Sequence, residues 1–203
     1  MASRHPQLSA QLNRGVTGYN LEELTPSSPE PMLAAARELL LEYGHFVASQ
    51  ENVASFCYGT LKQEMASLPQ SYLEQGGGAI MSLVDGHASG FVAWRSFAKP
   101  ELSHAWELKR LWLRPNARGL GVGQALVQAV IDRARAARKS ALFLDTEPHS
   151  MASARRLYTR MGFEECPAYN GVAAPGIIHL RKKTSETFLT KSQKSLAFAS
   201  PPC

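Results

Sequence analysis

Glycines at positions 119, 121 and 123 follow Arg118 in the stretch RPNARGLGVGQALVQAVIDRARA, between a short apolar segment and an amphipathic one. Glycine permits a tight turn and a close approach, so the backbone N–H groups of Arg118, Gly119, Leu120, Gly121, Val122 and Gly123 could converge on phosphate oxygens at a helix N-terminus. Arg118 would add a charged donor. A Walker loop would end Gly-Lys-Ser or Gly-Lys-Thr, whereas this one ends Gly-Gln. A dinucleotide fingerprint needs a third glycine at wider spacing, although Asp145 makes a superficial acidic partner. The remaining alternative is that the glycines only allow a close helix–sheet contact.

The charge around this loop points to an anion. The chain carries a formal net charge of +5, and between positions 109 and 139 Lys109, Arg110, Arg114, Arg118, Arg133, Arg135, Arg138 and Lys139 face Asp132 alone. A phosphorylated cofactor or a nucleic acid would suit such a stretch, and so would a solvated helix face. Cys57, Cys166 and Cys203 have no metal-ligand spacing, nor do His104 and His149, so no metal is expected and a covalent acyl-cysteine route is disfavoured. Three cysteines in this pattern suit a reducing, cytoplasmic setting. No apolar run approaches the roughly 20 residues of a membrane span. Arg4 and Arg14, with no acid before Glu22, leave a weak organellar-import signal.

The chain's 203 residues, 44% of them hydrophobic, suit one domain with its own core. A strand is expected at 19–24 and a helix from Met32 to near Gly44 or a little beyond, with Pro31 in its first turn. A second helix is expected from Asn52 to Leu68, stopped by Pro69. AIMSLV and SGFVAWRSF read as strands joined at Asp85-Gly86-His87, since Asp-Gly is a hairpin signal. Trp106 to Leu113 is a third strand. A helix should run from the glycine run to about Arg138, ALFLD is a buried strand, and Ser150 to Met161 is a helix stopped by Gly162. Two extended pieces follow, around 163–169 and 176–181. The expected class is α/β, a single mixed central sheet flanked by helices, spanning 19–182 between a flexible segment at 1–18 and a flexible tail at 183–203.

ELKRLWLRPNARGLGVGQALVQAV resembles the core motif of the GNAT superfamily of N-acetyltransferases, in which a strand leads to Arg or Gln, x, x, Gly, x, Gly or Ala; here these are Arg118, Gly121 and Gly123. A second family motif is matched by Ala154, Leu157, Tyr158, Gly162 and Phe163. The two stand in the family's order, and the resemblance covers about Ile80 to Tyr169. It implies a GNAT-like fold with acetyl-CoA as cosubstrate: the strand at 107–113 splays from the strand at 141–145, and the backbone of Leu111, Trp112 and Leu113 pairs with the pantetheine amides. One of those N–H groups would polarise the thioester carbonyl, and the pyrophosphate would lie on Arg118 to Gly123. An Asn often stands seven residues before the motif tyrosine; Met151 stands there in this chain.

The same resemblance implies roles for two side chains. Glu107 is the expected base, direct or through water, and Tyr158 the expected acid toward the departing sulfur. FCYGTLKQEMASLPQSYLEQGGG followed by ELKRLWL is similar to a GNAT subgroup whose acceptors are small amines or amino acids, with Glu64, Tyr72 and Trp94 as candidates to shape the acceptor site. The expected reaction is direct transfer of acetyl to a small-molecule primary amine in a ternary complex. The expected assembly is a monomer or homodimer, with no membrane partner and nucleic acid disfavoured. The alternatives are a protein or peptide N-acetyltransferase, and a catalytically weak acyl-CoA- or nucleic-acid-binding protein.

Overall fold

The computed structural model describes residues 18–50, 54–171 and 176–184, with side chains described from 60 onward in the segment that begins at 54. The expected flexible segments therefore lie outside it, apart from Gly18 and the first residues of the tail. Cys203 and the side chain of Cys57 lie outside it too.

The elements run β1 (Tyr19–Glu23), α1 (Glu30–Ala48), α2 (Ala54–Ala66), α3 (Gln70–Leu73), β2 (Gly78–Val84), β3 (His87–Ser96), β4 (Ala105–Leu113), α4 (Val122–Ala136), β5 (Ala141–Thr146), α5 (Ala152–Arg160), β6 (Glu164–Cys166) and β7 (Ile178–Lys183). They build one 7-stranded mixed sheet in the order β1-β2-β3-β4-β5-β7-β6. Among the described residues, only β4 and β5 pair in parallel.

Strand alternation sorts the core into two layers. Met81, Phe91 and Ala93 face α1, which buries Leu33, Ala36, Leu40 and Val47 at helical spacing. Ile80, Val92, Trp94, Leu142 and Leu144 face the other way, onto Leu126, Val127, Val130 and Ile131 of α4. The β2–β3 hairpin turns at Asp85 (φ 50°) and Gly86 (φ 79°), both left-handed as a two-residue turn requires.

The structure fixes the end of α1 and departs from the sequence reading at two places. α1 continues past Gly44 to Ala48, because Tyr43, Gly44 and Val47 are buried and extend its packing face; a glycine inside a helix costs only about 1 kcal/mol. The short α3 was not expected; it buries Tyr72. The sheet also extends beyond position 182. Lys183 pairs with Ala141, and Thr184 donates its N–H to the Ser140 carbonyl at 3.0 Å while its own carbonyl accepts from Arg135 Nε at 3.1 Å.

Candidate active site

The break in the sheet lies between its two parallel strands. β4 and β5 pair at Ala105–Ala141, Trp106–Leu142 and Glu107–Phe143, and there the ladder stops. Both strands continue, β4 to Leu113 and β5 to Thr146. On the β5 side, the backbone from Leu108 to Leu113 therefore has no strand partner. Buried peptide groups require partners, so an unpaired edge inside a sheet is suited to receive a ligand with amides of its own.

β4 is also bent at this place. Phe91 pairs with Trp112 and Ala93 with Lys109, so β4 carries one more residue than β3 between those pairs. The bulge puts Arg110 at φ 60°, a conformation that costs a non-glycine residue on the order of 1 kcal/mol. Its side chain turns to the helical layer and donates from Nε to Glu64 Oε2 (2.8 Å) and from an Nη to Glu64 Oε1 (2.9 Å) and Thr60 Oγ1 (3.0 Å). Tyr72 donates to Glu64 Oε2 at 2.6 Å. Burial alone would raise the Glu64 carboxyl, but Arg110, Tyr72 and Thr60 outweigh it and hold the group at about 2.

Two cavities open along the cleft. One, of about 330 Å³, is lined by Arg95, Glu107, Lys109, Arg110, Asp145, Tyr158 and Asn170 among others. The second, of about 250 Å³, is lined by Trp112, Leu113, Arg118, Ser150, Ser153 and Leu157 among others. Tyr43, Leu111, Met151 and Ala154 line both, so the two are neighbouring parts of one cleft.

Glu107 is 2% exposed. Its Oε2 accepts from Arg95 Nε at 2.7 Å, and its Oε1 accepts from Lys109 Nζ at 3.3 Å and from the Tyr169 hydroxyl at 3.1 Å. Burial pushes its carboxyl up, but the charges of Lys109 and Arg95 and the bonds from Arg95 and Tyr169 bring it below the usual carboxylate value. Tyr158 sits at the first cavity from α5, its ring tilted against Phe163 at 5.6 Å. Burial, then the neighbouring Tyr43 and Asp145, pushes its phenol above the ordinary value, so it is protonated at neutral pH.

The glycine loop closes the far end. Gly121 (φ 80°) caps α4, and the first helical bond runs from Ala125 N–H to the Gly121 carbonyl at 3.0 Å, leaving the N–H groups of Val122, Gly123 and Gln124 ahead of it. Gly123 lets the helix start close to the strand, since a Cβ there would stand 3.0 Å from Leu113 Cδ1. Arg118 folds back, donating to the Leu113 carbonyl at 3.2 Å with its guanidinium 5.6 Å from the Trp112 ring centre. The Val122 side chain is fully buried and Leu120 packs partly buried on the same core, so at these two positions the side chain is committed to packing.

A model of the acetyltransferase (GNAT) family matches residues 28–163. The chain belongs to the GNAT acetyltransferase family. This GNAT acetyltransferase is 34% identical over 101 residues to an uncharacterized N-acetyltransferase of Schizosaccharomyces pombe, a match covering 50% of this chain and 60% of the relative. It is 29% identical over 120 residues to the N-acetylaspartate synthetase of Xenopus tropicalis, covering 59% of this chain and 43% of the relative. The matched part thus spans about half the length of these curated relatives. Among solved structures, yncA of Salmonella typhimurium, solved with its cofactor acetyl-CoA, superposes with a TM-score of 0.64 at 17% identity, covering 83% of this chain and 95% of that one. A GNAT family acetyltransferase of Staphylococcus aureus superposes with a TM-score of 0.64 at 16% identity, covering 83% and 100%. The mixed sheet with its flanking helices is the fold of these neighbours.

The expected site residues separate by place. Glu107, Tyr158, Leu111, Trp112, Leu113 and Arg118 line the cleft. Glu64 and Tyr72 line neither cavity and reach the first through Arg110 and Thr60. Trp94 lies elsewhere: it is 3% exposed, on the α4 face of the sheet, 5.8 Å from the Trp106 ring and covered by Arg133 at 5.7 Å, and it lines neither cavity. Sequence reasoning passed over Lys109, Asp145, Asn170 and Tyr169 as site residues. Lys109 was legible, since it lies two residues beyond Glu107 and strand alternation puts both on one face.

Proposed function

We propose that this chain transfers the acetyl group of acetyl-CoA to the primary amine of a small molecule, with amino acids the favoured class, by direct attack while both substrates are bound. The observation that carries the reading is the opened β4–β5 ladder with its two adjoining cavities. The residues present fit acetyl-CoA: an unpartnered strand edge at Leu111–Leu113 for an amide-bearing arm, and the N–H groups at the start of α4 with Arg118 for phosphates.

When bound, acetyl-CoA supplies an activated acetyl thioester. The chain's part is to place and polarise. A backbone N–H of Leu111–Leu113 supports the carbonyl oxygen as charge develops there, and Tyr158 holds a proton for the departing sulfur. Glu107 stays ionised; with both oxygens already accepting hydrogen bonds, it favours loss of the amine proton through water over direct contact.

A cavity of about 330 Å³ is at the lower end of small-molecule sites, which favours a compact acceptor over a protein segment. The N-acetylaspartate synthetases among the relatives point to amino acids.

Thermal denaturation with acetyl-CoA tests the cosubstrate. At a hundred times its dissociation constant, a ligand that binds only the folded state adds about 2.7 kcal/mol, which raises Tm by roughly 5–10 °C in a chain of this size. No shift for folded protein would overturn the assignment. Labelled acetyl-CoA with a library of small amines then tests transfer.

A further inference from the structure

The first cavity is bipolar. Glu107 and Phe143 form the last pair of the β4–β5 ladder, and Lys109 and Asp145 each stand two residues further along their strands. Alternation keeps both on the face that carries Glu107 and Phe143, and both line the cavity.

Their surroundings leave opposite charges uncompensated. Arg95 and Lys109 share the single carboxylate of Glu107 (2.7 and 3.3 Å), so the β3–β4 wall keeps one positive charge in excess. Arg110 adds nothing to that excess, because Glu64 neutralises it. On the β5 wall, Asp145 Oδ2 accepts from the uncharged amide of Asn170 at 2.9 Å, and no cationic side chain among the described residues lies within ion-pair distance of it.

Building on the acetyltransferase reading above, we propose that the acceptor is a free α-amino acid bound as its zwitterion, its ammonium on Asp145 and its carboxylate on Lys109 and Arg95. The two walls then meet the two charges that an α-amino acid carries on one carbon. Side chains 16% and 30% exposed, those of Lys109 and Arg95, retain N–H donors for a carboxylate. A simple monoamine leaves the positive wall unmatched. A diamine brings a second cation against it, and a lysine side chain within a protein offers an amine with no carboxylate beside it. The ammonium on Asp145 lies on the wall of the cavity that Glu107 and Tyr158 also line, so that after it gives up one proton through water toward Glu107 the neutral nitrogen is placed to react.

The test uses the twenty standard L-amino acids, the α-carboxamide and the decarboxylated amine of the best of them, and a set of mono- and diamines. The intact chain should prefer the amino acid to its carboxamide by about 10- to 100-fold in kcat/KM, the range for a hydrogen bond to a charged group. Lys109→Met should shrink that preference; comparing each variant with the parent cancels the amide's own lower amine basicity. Asp145→Asn should raise KM for acid and amide alike and weaken calorimetric binding of the amino acid to the protein loaded with coenzyme A. Lys109→Arg, which keeps the charge, should retain most of the preference and guards against a folding defect in the methionine variant. Equal use of acid and carboxamide, or transfer to monoamines but to no amino acid, overturns the proposal while leaving the acetyltransferase reading standing. Absence of acetyl-CoA binding, or of transfer to any amine, overturns both.

Discussion

Tyr158 is the residue at which packing and chemistry can be separated with one atom. Its ring, 5% exposed, packs on Phe163 in the α4–α5 layer, and phenylalanine would keep that contact. Tyr158 also lines the first cavity, and with the phenol raised by burial, Tyr43 and Asp145 it holds its proton throughout the neutral range. Tyr158→Phe should therefore leave acetyl-CoA affinity close to the parent's while lowering the single-turnover rate by roughly 10- to 10,000-fold. The lower end allows for water replacing part of a contribution normally of about 10²–10⁴. A fully active variant with chemistry rate-limiting would assign the proton to water or to the acceptor.

At the scale of elements, the turn into α4 and the splay of β4 from β5 are one device, since the strand that loses its partner leads directly into the loop that caps the helix. Gly121 sits at φ 80° with open space where a Cβ would go. A Cβ there meets no neighbour, so the cost of a valine lies first in the backbone, because a β-branched residue resists the left-handed region. Gly121→Val should displace the N–H groups ahead of Ala125. Coenzyme A affinity measured by calorimetry should fall at least about tenfold, the effect of roughly 1–3 kcal/mol of backbone strain, with a smaller loss in thermal stability. Unchanged affinity would leave the glycines a packing role only.

The elements were legible because periodicity and turn chemistry are local: the hairpin at Asp85-Gly86, the apolar stripe of α4 and the stop at Gly162 each lie within a few residues. The enclosure of Glu107 was not legible, because Arg95 and Tyr169 reach it from 12 and 62 residues away. Nor was the face of Trp94, since β3 is apolar on both sides and only the packing of α1 and α4 tells them apart.

At the scale of the whole molecule, the basic stretch from Lys109 to Lys139 is spread over several surfaces. Arg114 pairs with Glu42 at 2.7 Å, Arg133 with Glu23 at 2.6 Å and Arg135 with Asp132 at 3.3 Å. The Arg133 pair ties α4 to β1, the Arg114 pair ties α1 to the residue that follows β4, and the most enclosed pair, Glu64 with Arg110, joins α2 to the β4 bulge beside the cavity. That tie makes stability depend on pH with a definite sign. Glu64 titrates at about 2 in the folded chain against 4.5 for the free group, so its contribution is fully present above about pH 5 and is lost as pH falls toward 2. The shift corresponds to roughly 3 kcal/mol, and Glu107, lowered in the same sense, adds to the same slope. Unfolding by urea across pH 6 to 2.5 should therefore show a steep loss of stability. Glu64→Gln should flatten part of that slope while lowering stability at pH 7 by about 3–5 kcal/mol, because it leaves the Arg110 guanidinium buried without its carboxylate. Replacing both partners by apolar residues, Glu64→Leu with Arg110→Met, should cost less than the single change, since the uncompensated charge goes with the pair. A double variant as unstable as Glu64→Gln would mean that the bulge itself, and not the ion pair, holds the helical layer against the sheet.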